Sequence, residues 1–206
     1  MKIIRLALGP LGTNCYILYD EISKEAAVFD PADNCEMILQ KISEKSLSLK
    51  YIIITHAHCD HICALDELTE KTGAKVCIGK DDFDALNDSY QSLCTMFRQN
   101  APKTKAELLI NEGDTLNLGE FEITFIHTPG HTKGGICALV ENILISGDTL
   151  FLESVGRSDF PGGSASVLIN SIKTKLFTLP DDTVVYPGHG DSTTIGHEKK
   201  NNPFIW

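Results

Sequence analysis

No apolar run in the 206 residues approaches the ~20 needed to cross a bilayer, so no membrane span is expected. Basic residues are few. Eighteen Lys and Arg stand against 28 Asp and Glu, a formal net charge of -10. That balance argues against a nucleic-acid partner, which requires a basic face. There is no Cys-x-x-Cys pair, and the seven cysteines (Cys15, Cys35, Cys59, Cys63, Cys77, Cys94 and Cys137) are odd in number. Gly9 and Pro10 interrupt the first apolar stretch and no cleavage signature follows, so no export signal is read. Free thiols in a reducing cytoplasm are the expectation, most of them as small core residues. No Gly-x-Ser-x-Gly elbow, repeat, low-complexity tract or linker occurs. One globular domain over residues 1–206 is expected, in keeping with a mean hydropathy of -0.04.

What is present is concentrated in one stretch, Tyr51-Ile-Ile-Ile-Thr-His-Ala-His-Cys-Asp-His61. The β-branched run to Ile54 is too short for a helix and reads as a buried strand. From Asp60 onward Ile62, Leu65 and Leu68 recur at helical spacing, with the helix ending near Gly73. His56 to His61 therefore occupy a strand-to-helix turn, where rigid sheets hold reactive groups. His56 and His58, two apart in extended backbone, point the same way; Asp60 and His61 lie past the bend and aim at a second point. Imidazole and carboxylate together suit zinc, iron or manganese. Three further segments share this order of apolar strand, turn residue and donor. They are Phe125-Ile-His-Thr-Pro-Gly-His131, Ile143-Leu-Ile-Ser-Gly-Asp148 and Val184-Val-Tyr-Pro-Gly-His189. Converging strand ends would produce that repetition.

Thr55-His-Ala-His-Cys-Asp-His61, Thr128-Pro-Gly-His131, Ser146-Gly-Asp148 and Pro187-Gly-His189 resemble the metal-binding motifs of metallo-β-lactamase-fold hydrolases, in that family's order. The segments Gly147 to Gly163 and Ser192 to Phe204 are similar to its small glyoxalase II-like branch. The resemblance implies an α/β architecture, a four-layer αββα sandwich with two mixed sheets face to face and helices outside. It implies two divalent ions, zinc first and iron or manganese as alternatives. His56, His58 and His131 would hold one, Asp60, His61 and His189 the other, and Asp148 would bridge them. Asp60 and Asp148 are the candidate catalytic residues, and a hydroxide shared by the two ions would attack a carbonyl. A thioester such as S-lactoylglutathione is the implied small-molecule substrate, with no nucleic acid or membrane as partner and a cytoplasmic location.

Further residues are weighed against plainer roles. Asp30, before Pro31, is either a carboxylate receiving the outer N–H of a metal-binding histidine or a turn residue. Arg157 and Phe160, in the loop Val155 to Phe160, sit where the family turns a basic residue toward glutathione. Arg157 either binds a substrate carboxylate or pairs with Asp159. Cys59 lies between two donors without joining them, and is a candidate for oxidative sensitivity. His127 is read as a strand residue and His197 as a surface residue. Residues 87–105 read as an excursion that could serve as a lid. The rival chemistry is a persulfide dioxygenase using one iron, and the plainest rival is a metal-stabilised binding domain without catalysis.

The remaining elements follow from pattern. Met1 to Leu8, Asn14 to Tyr19 and Ala26 to Phe29 are strands, the first two joined by Gly-Pro-Leu-Gly. Asn34 to Ser46 is a helix capped by Asn34, with Met37, Ile38 and Ile42 as its apolar stripe. Lys75 to Ile78 is a strand and Lys80 to Leu86 a short helix. Leu116 to Leu118 with Phe121 to Ile126, and Ile136 to Val140 with Asn142 to Ser146, are strand pairs. Ser164 to Leu179 is a helix burying Val167, Leu168, Ser171, Ile172, Lys175 and Leu176. Thr183 to Tyr186 is the last strand, and Glu198 to Trp206 a tail packed on the body.

Overall fold

The computed structural model describes residues 1–205. Strands β1 (Lys2–Leu8), β2 (Thr13–Tyr19) and β3 (Glu25–Phe29) lead to helix α1 (Cys35–Glu44) and strand β4 (Ser48–Ile54). Two helices follow, α2 (Cys59–Ile62) and α3 (Leu65–Thr72), and then β5 (Lys75–Gly79), α4 (Phe83–Leu86) and β6 (Leu108–Ile110). The second half holds β7 (Thr115–Leu118), β8 (Phe121–His127), β9 (Ile136–Val140), β10 (Ile143–Gly147), β11 (Leu150–Phe151) and β12 (Ser154–Val155). Helix α5 (Ala165–Thr174), β13 (Val184–Pro187), β14 (Thr193–Thr194) and α6 (Ile195–Asn201) complete it. Strands β1 to β6 form one sheet in sequence order, and β14-β13-β10-β9-β8-β7 form the other.

The layering follows from side-chain alternation along each strand. In β2, β3 and β4 one set (Ile17, Val28, Ile52, Ile54) faces α1 and α3, packing with Ile38, Leu65 and Leu68. The other set (Leu18, Phe29, Ile53) meets Ile123, Phe125, Ala138 and Ile145 of the second sheet. The outer face of the second sheet, with Leu144 and Val185, packs on Leu168 and Ile172 of α5 and Ile195 of α6. Helix, sheet, sheet and helix are thus four layers, the αββα sandwich. The central strand β4 pairs in parallel on both sides and is covered on both faces, so it reads as an unbroken apolar run. Each Ile, Leu or Phe fully buried in these layers contributes about 1.5–3 kcal/mol of transfer free energy.

Several elements differ from the pattern-based expectation. The helix expected from Asp60 to Gly73 is broken, because Ala64 N–H donates to Pro31 O (2.9 Å). Gly73, at φ 66, ends α3 in a left-handed conformation that glycine adopts without strain. Asn34 does cap α1, accepting from Met37 N–H at 3.2 Å, but Met37 lies 39% exposed at the edge of the stripe. Val167 is exposed on α5 for the same reason. The tail packs on the body through buried Asn202 and Ile205, and its first residues belong to helix α6, opened by the Thr194 hydroxyl accepting from His197 N–H; Trp206 lies outside the described residues. Residues 87–105 form the expected excursion and are tied to the body at both ends. Cys59 N–H donates to Ser92 O at 2.8 Å, and the Asp66 carboxylate accepts from the Lys103 and Thr104 amides. No helix of the described residues is long and apolar enough to cross a membrane.

Parallel pairing decides where the functional residues fall. In β3–β4 Phe29 is level with Ile53, so Asp30 and Thr55 emerge side by side. In β10–β13 Gly147 is level with Pro187, which places Asp148 beside Gly188 and His189. The sheets bring these two pairs of strand ends together across one edge of the sandwich. Thr55 O, accepting from Ile136 N–H at 2.9 Å, stitches the edge.

Candidate metal centre

Seven donors from four turns meet at that edge. His56, His58 and His131 form one trio whose ligand atoms all lie within 4.8 Å of one another, and Asp60, His61 and His189 form another. In the first, His58 Nδ1 is 2.8 Å from His131 Nε2, which is 3.2 Å from His56 Nε2. In the second, Asp60 Oδ2 is 3.2 Å from His189 Nε2 and 3.5 Å from His61 Nε2. Asp148 lies between them, with Oδ1 3.4 Å from His61 Nε2 and Oδ2 3.6 Å from both His131 Nε2 and His189 Nε2.

The turns explain how seven polar groups converge without backbone interference. A Cβ on Gly188 would lie 2.2 Å from Asp148 Oδ1 and 2.8 Å from His61 Cε1, so only glycine fits before His189. Gly147, at φ 48, lies against Thr55, and a Cβ there would come within 2.4 Å of its hydroxyl.

Outer hydrogen bonds fix the face each imidazole presents. His61 Nδ1 donates to Asp30 Oδ2 at 2.9 Å. The Thr55 hydroxyl donates to the same carboxylate at 2.7 Å, so its lone pair accepts from His56 Nδ1 at 3.1 Å. His131 Nδ1 donates to the Arg157 carbonyl. Each bond turns Nε2 toward the cluster, the atom that a metal ion would take. The Thr13 hydroxyl donates to Asp60 Oδ2 at 2.8 Å. Asn14 Nδ2 and the Tyr16 hydroxyl both donate to Pro187 O, clamping the turn that carries His189.

Electrostatics prepare the donors. Burial, reinforced by the neighbouring imidazoles, holds His56 well below the ordinary histidine range and takes His58 down to about 3. Burial alone would raise Asp148, but facing His61, His131 and His189 bring its carboxyl down to about 2. Burial would lower His61, yet Asp148, Asp30 and Asp60 outweigh it and raise that imidazole. His56 and His58, held neutral, and the carboxylates of Asp60 and Asp148, held ionised, suit a cation. Two buried atoms aimed into the cluster, His61 Nε2 and Asp148 Oδ1, have no hydrogen-bond partner among the described residues. Buried polar atoms are seldom orphaned, so this pair fits donors for divalent ions.

The other sequence candidates fall around the cluster. Phe160 stands edge-on to His58 at 5.6 Å, and Arg157 lies over the Phe160 ring at 4.2 Å. The Arg157 guanidinium also grips Asp159 through two hydrogen bonds of 3.0 and 2.7 Å. Cys59 is no member of the donor groups; its thiol faces Cys63 and Gln99. His127 ends β8 with Nε2 near Lys133 O, and His197 pairs with exposed Glu153.

One supporting residue was not legible as functional. Asp82 lies in a Lys-Asp-Asp run that reads as a solvated helix start. Its buried carboxylate accepts from Ala57 N–H at 3.2 Å, between His56 and His58. It also accepts from the Thr132 hydroxyl and Gly134 N–H at 2.7 Å each, directly after His131. One carboxylate thus ties two donor turns together, although burial raises its pKa. Asp82→Ala should lower stability by about 2–3 kcal/mol, because buried donors lose their acceptor. Urea unfolding of the metal-free protein measures this, and a change below about 0.5 kcal/mol would remove the tie.

A cleft of ≈ 150 Å³ leads to His58, lined also by Asp82, Gln91, Thr132, Lys133 and Pro161. The arrangement can bind a small molecule beside a buried group of metal donors.

Comparison with known proteins agrees with this geometry. A family model described as the metallo-beta-lactamase superfamily matches residues 8–189. The hydroxyacylglutathione hydrolase GloC of Haemophilus influenzae is 37% identical over 100% of this chain and 98% of its own. The crystal structure of the B3 metallo-beta-lactamase BLEG-1 superposes with a TM-score of 0.93 at 36% identity, covering 99% of each chain. TTHA1623 in a di-iron-bound form superposes with a TM-score of 0.86 at 32% identity, covering 98% of this chain and 99% of that one. With its layers, strand-end donors and these relatives alike, the chain belongs to the metallo-β-lactamase superfamily.

Proposed function

We propose that this protein is a dinuclear metal-dependent hydrolase of thioesters, with glutathione thioesters of small hydroxy acids as its substrate class. The observation that carries the reading is the pair of donor trios facing each other across Asp148, with His61 Nε2 and Asp148 Oδ1 buried and unpartnered among the described residues. The likeness to GloC supports the substrate class. His56, His58 and His131 would hold one ion, Asp60, His61 and His189 the other, and Asp148 both. Bound there, divalent ions supply Lewis acidity toward a carbonyl oxygen and make a water nucleophilic at neutral pH.

The chain's own groups do the positioning. Asp30 and the Arg157 carbonyl keep the outer Nδ1–H of His61 and His131 engaged, so neither ring can turn away. Thr13 fixes the Asp60 carboxylate through Oδ2, the oxygen that faces His61 and His189. Phe160 stands edge-on to His58, and Pro161 lines the cleft beside it. A thiolate leaves without protonation assistance. Lys133, exposed at the cleft and in no ion pair among the described residues, is the cation placed to meet a substrate carboxylate. Arg157, held by Asp159, contributes its carbonyl to His131 and lays its guanidinium over the Phe160 ring.

The test is metal content by elemental analysis and S-lactoylglutathione hydrolysis on one sample, with a β-lactam in parallel. About two ions per chain together with thioester turnover is expected. One iron per chain, no thioester turnover and oxygen uptake with a persulfide would replace the reading with a dioxygenase. Lys133→Ala should raise KM for the glutathione thioester about tenfold, while kcat stays within twofold, as for a removed ground-state contact. An unchanged KM would remove the lysine from substrate binding.

A further inference from the structure

Cys59 lies between His58 and Asp60, and its sulfur points away from them into a thiol group on the outer side of the turn. Its Sγ is 3.9 Å from that of Cys63, close to van der Waals contact. Gln99 Oε1 lies 3.6 Å from Cys59 Sγ and 3.2 Å from Cys63 Sγ, so one acceptor draws both thiols to the same spot. Cys94, fully buried, adjoins Cys59 from the excursion. Cys63 is the exposed member of the seven cysteines. A surface cavity of ≈ 160 Å³, lined by Cys59, Cys63, Cys94 and Gln99, opens onto the group from outside the donor cluster.

We propose that Cys59 and Cys63 form an oxidisable pair whose closure to a disulfide disables the metal centre. Residues four apart on a helix have Cα atoms about 6.2 Å apart, within the Cα range of disulfides. Their Cβ atoms lie about 5–6 Å apart, beyond the ~3.5–4.5 Å a disulfide needs, so closure must move backbone. The sulfurs need to close by roughly 1.9 Å to reach bonding distance. Cys63 follows the last residue of α2 at the break before α3, so its backbone has slack that a mid-helix residue lacks. Cys59 has none, since its N–H is held by Ser92 and its neighbours are His58 and Asp60. The closing strain therefore falls on the donor turn. The step is balanced with a hydroperoxide as oxidant. The exposed Cys63 sulfur takes one oxygen to become a sulfenic acid, releasing an alcohol, or water from hydrogen peroxide. The Cys59 thiol then displaces the sulfenic oxygen as water, forming the S–S bond.

The loss of activity rests on the hydrolase reading; the disulfide itself does not. Zinc-loaded protein is treated with hydrogen peroxide, its remaining thiols are blocked with a maleimide, and the digest is mapped by mass spectrometry. The expected product is a Cys59–Cys63 crosslink with two hydrogens lost and two fewer maleimides taken up. The oxidised form should retain less zinc, and thioester hydrolysis should fall about a hundredfold, the scale of a ~1 Å displacement of catalytic groups. A thiol reductant followed by zinc should restore both. Cys63→Ala should hydrolyse as the parent does and lose nothing on peroxide treatment. A Cys59–Cys94 crosslink, sulfinic acid on Cys63 without a crosslink, or a crosslink that leaves zinc content unchanged would each overturn the proposal. Because crosslink and zinc are read without substrate, a chain that hydrolyses no thioester still decides the matter.

Discussion

Asp148→Ala should reduce thioester hydrolysis to background and bound metal from about two ions per chain to one or none. No other side chain can take its place. Its two oxygens face different partners, Oδ1 toward His61 and Oδ2 toward His131 and His189. The Gly188 position leaves no room for a compensating side chain. A second consequence appears in the metal-free protein. The carboxyl is held down to about 2 from its ordinary 3.8, so the folded state binds its proton less tightly than the unfolded chain does. A depressed carboxyl contributes stability above the unfolded value and loses it as pH falls through the folded one. That contribution is about 2 kcal/mol at neutral pH. Metal-free Asp148→Ala should therefore unfold at lower urea than the parent at pH 7, with the gap narrowing between about pH 4 and 2. Hydrolysis above about a tenth of the parental rate would sink the role proposed for Asp148.

The convergence of the seven candidate donors was legible because each is local to a strand end. His56 to His61 follow β4 directly, and His131, Asp148 and His189 each follow a short turn containing glycine. What lay outside the sequence's reach is the set of groups that hold those turns. Thr13 meets Asp60 across 47 residues, Asn14 meets Pro187 across 173, and Asp82 meets Thr132 across 50. Nothing near Asp82 in sequence distinguishes it from adjacent Asp81, which stays exposed. The layers were legible from alternation in β2, β3 and β4, while the short strands β11, β12 and β14 were not, since two residues carry no period. Met37 and Val167 failed for a different reason. A 3.6-residue period marks a stripe, and the neighbouring layer covers only its centre. Arg157 was open between two roles on sequence grounds. The structure shows its guanidinium on Asp159, and its part nearest the cluster is the backbone carbonyl, which no side-chain pattern reveals.

Asp30→Asn should leave the fold standing and remove the second metal position, a sharper outcome than Asp30→Ala. Asp30 sits at φ 50, a conformation Asn tolerates and Ala adopts only with strain. Asn can still accept from Thr55 N–H, as Asp30 Oδ1 does at 2.7 Å. Its amide nitrogen would then stand where Oδ2 meets the Thr55 hydroxyl and His61 Nδ1. An amide donates where a carboxylate accepts, so His61 Nδ1 must give up its proton and Nε2 must carry it. The protonated Nε2 points at Asp60 Oδ2 and Asp148 Oδ1 and offers no lone pair inward. The Thr55 hydroxyl must also turn from Asp30, which frees it from accepting His56 Nδ1–H. One oxygen-to-nitrogen exchange thus disturbs a donor in each trio. Loss of an outer partner of this kind lowers metal affinity or activity by about 10–100-fold, and a reversed tautomer belongs at the upper end. Metal content after dialysis against a weak chelator, with urea unfolding alongside, separates the two effects. If Asp30→Asn keeps full metal content, His61 does not depend on Asp30 for its tautomer.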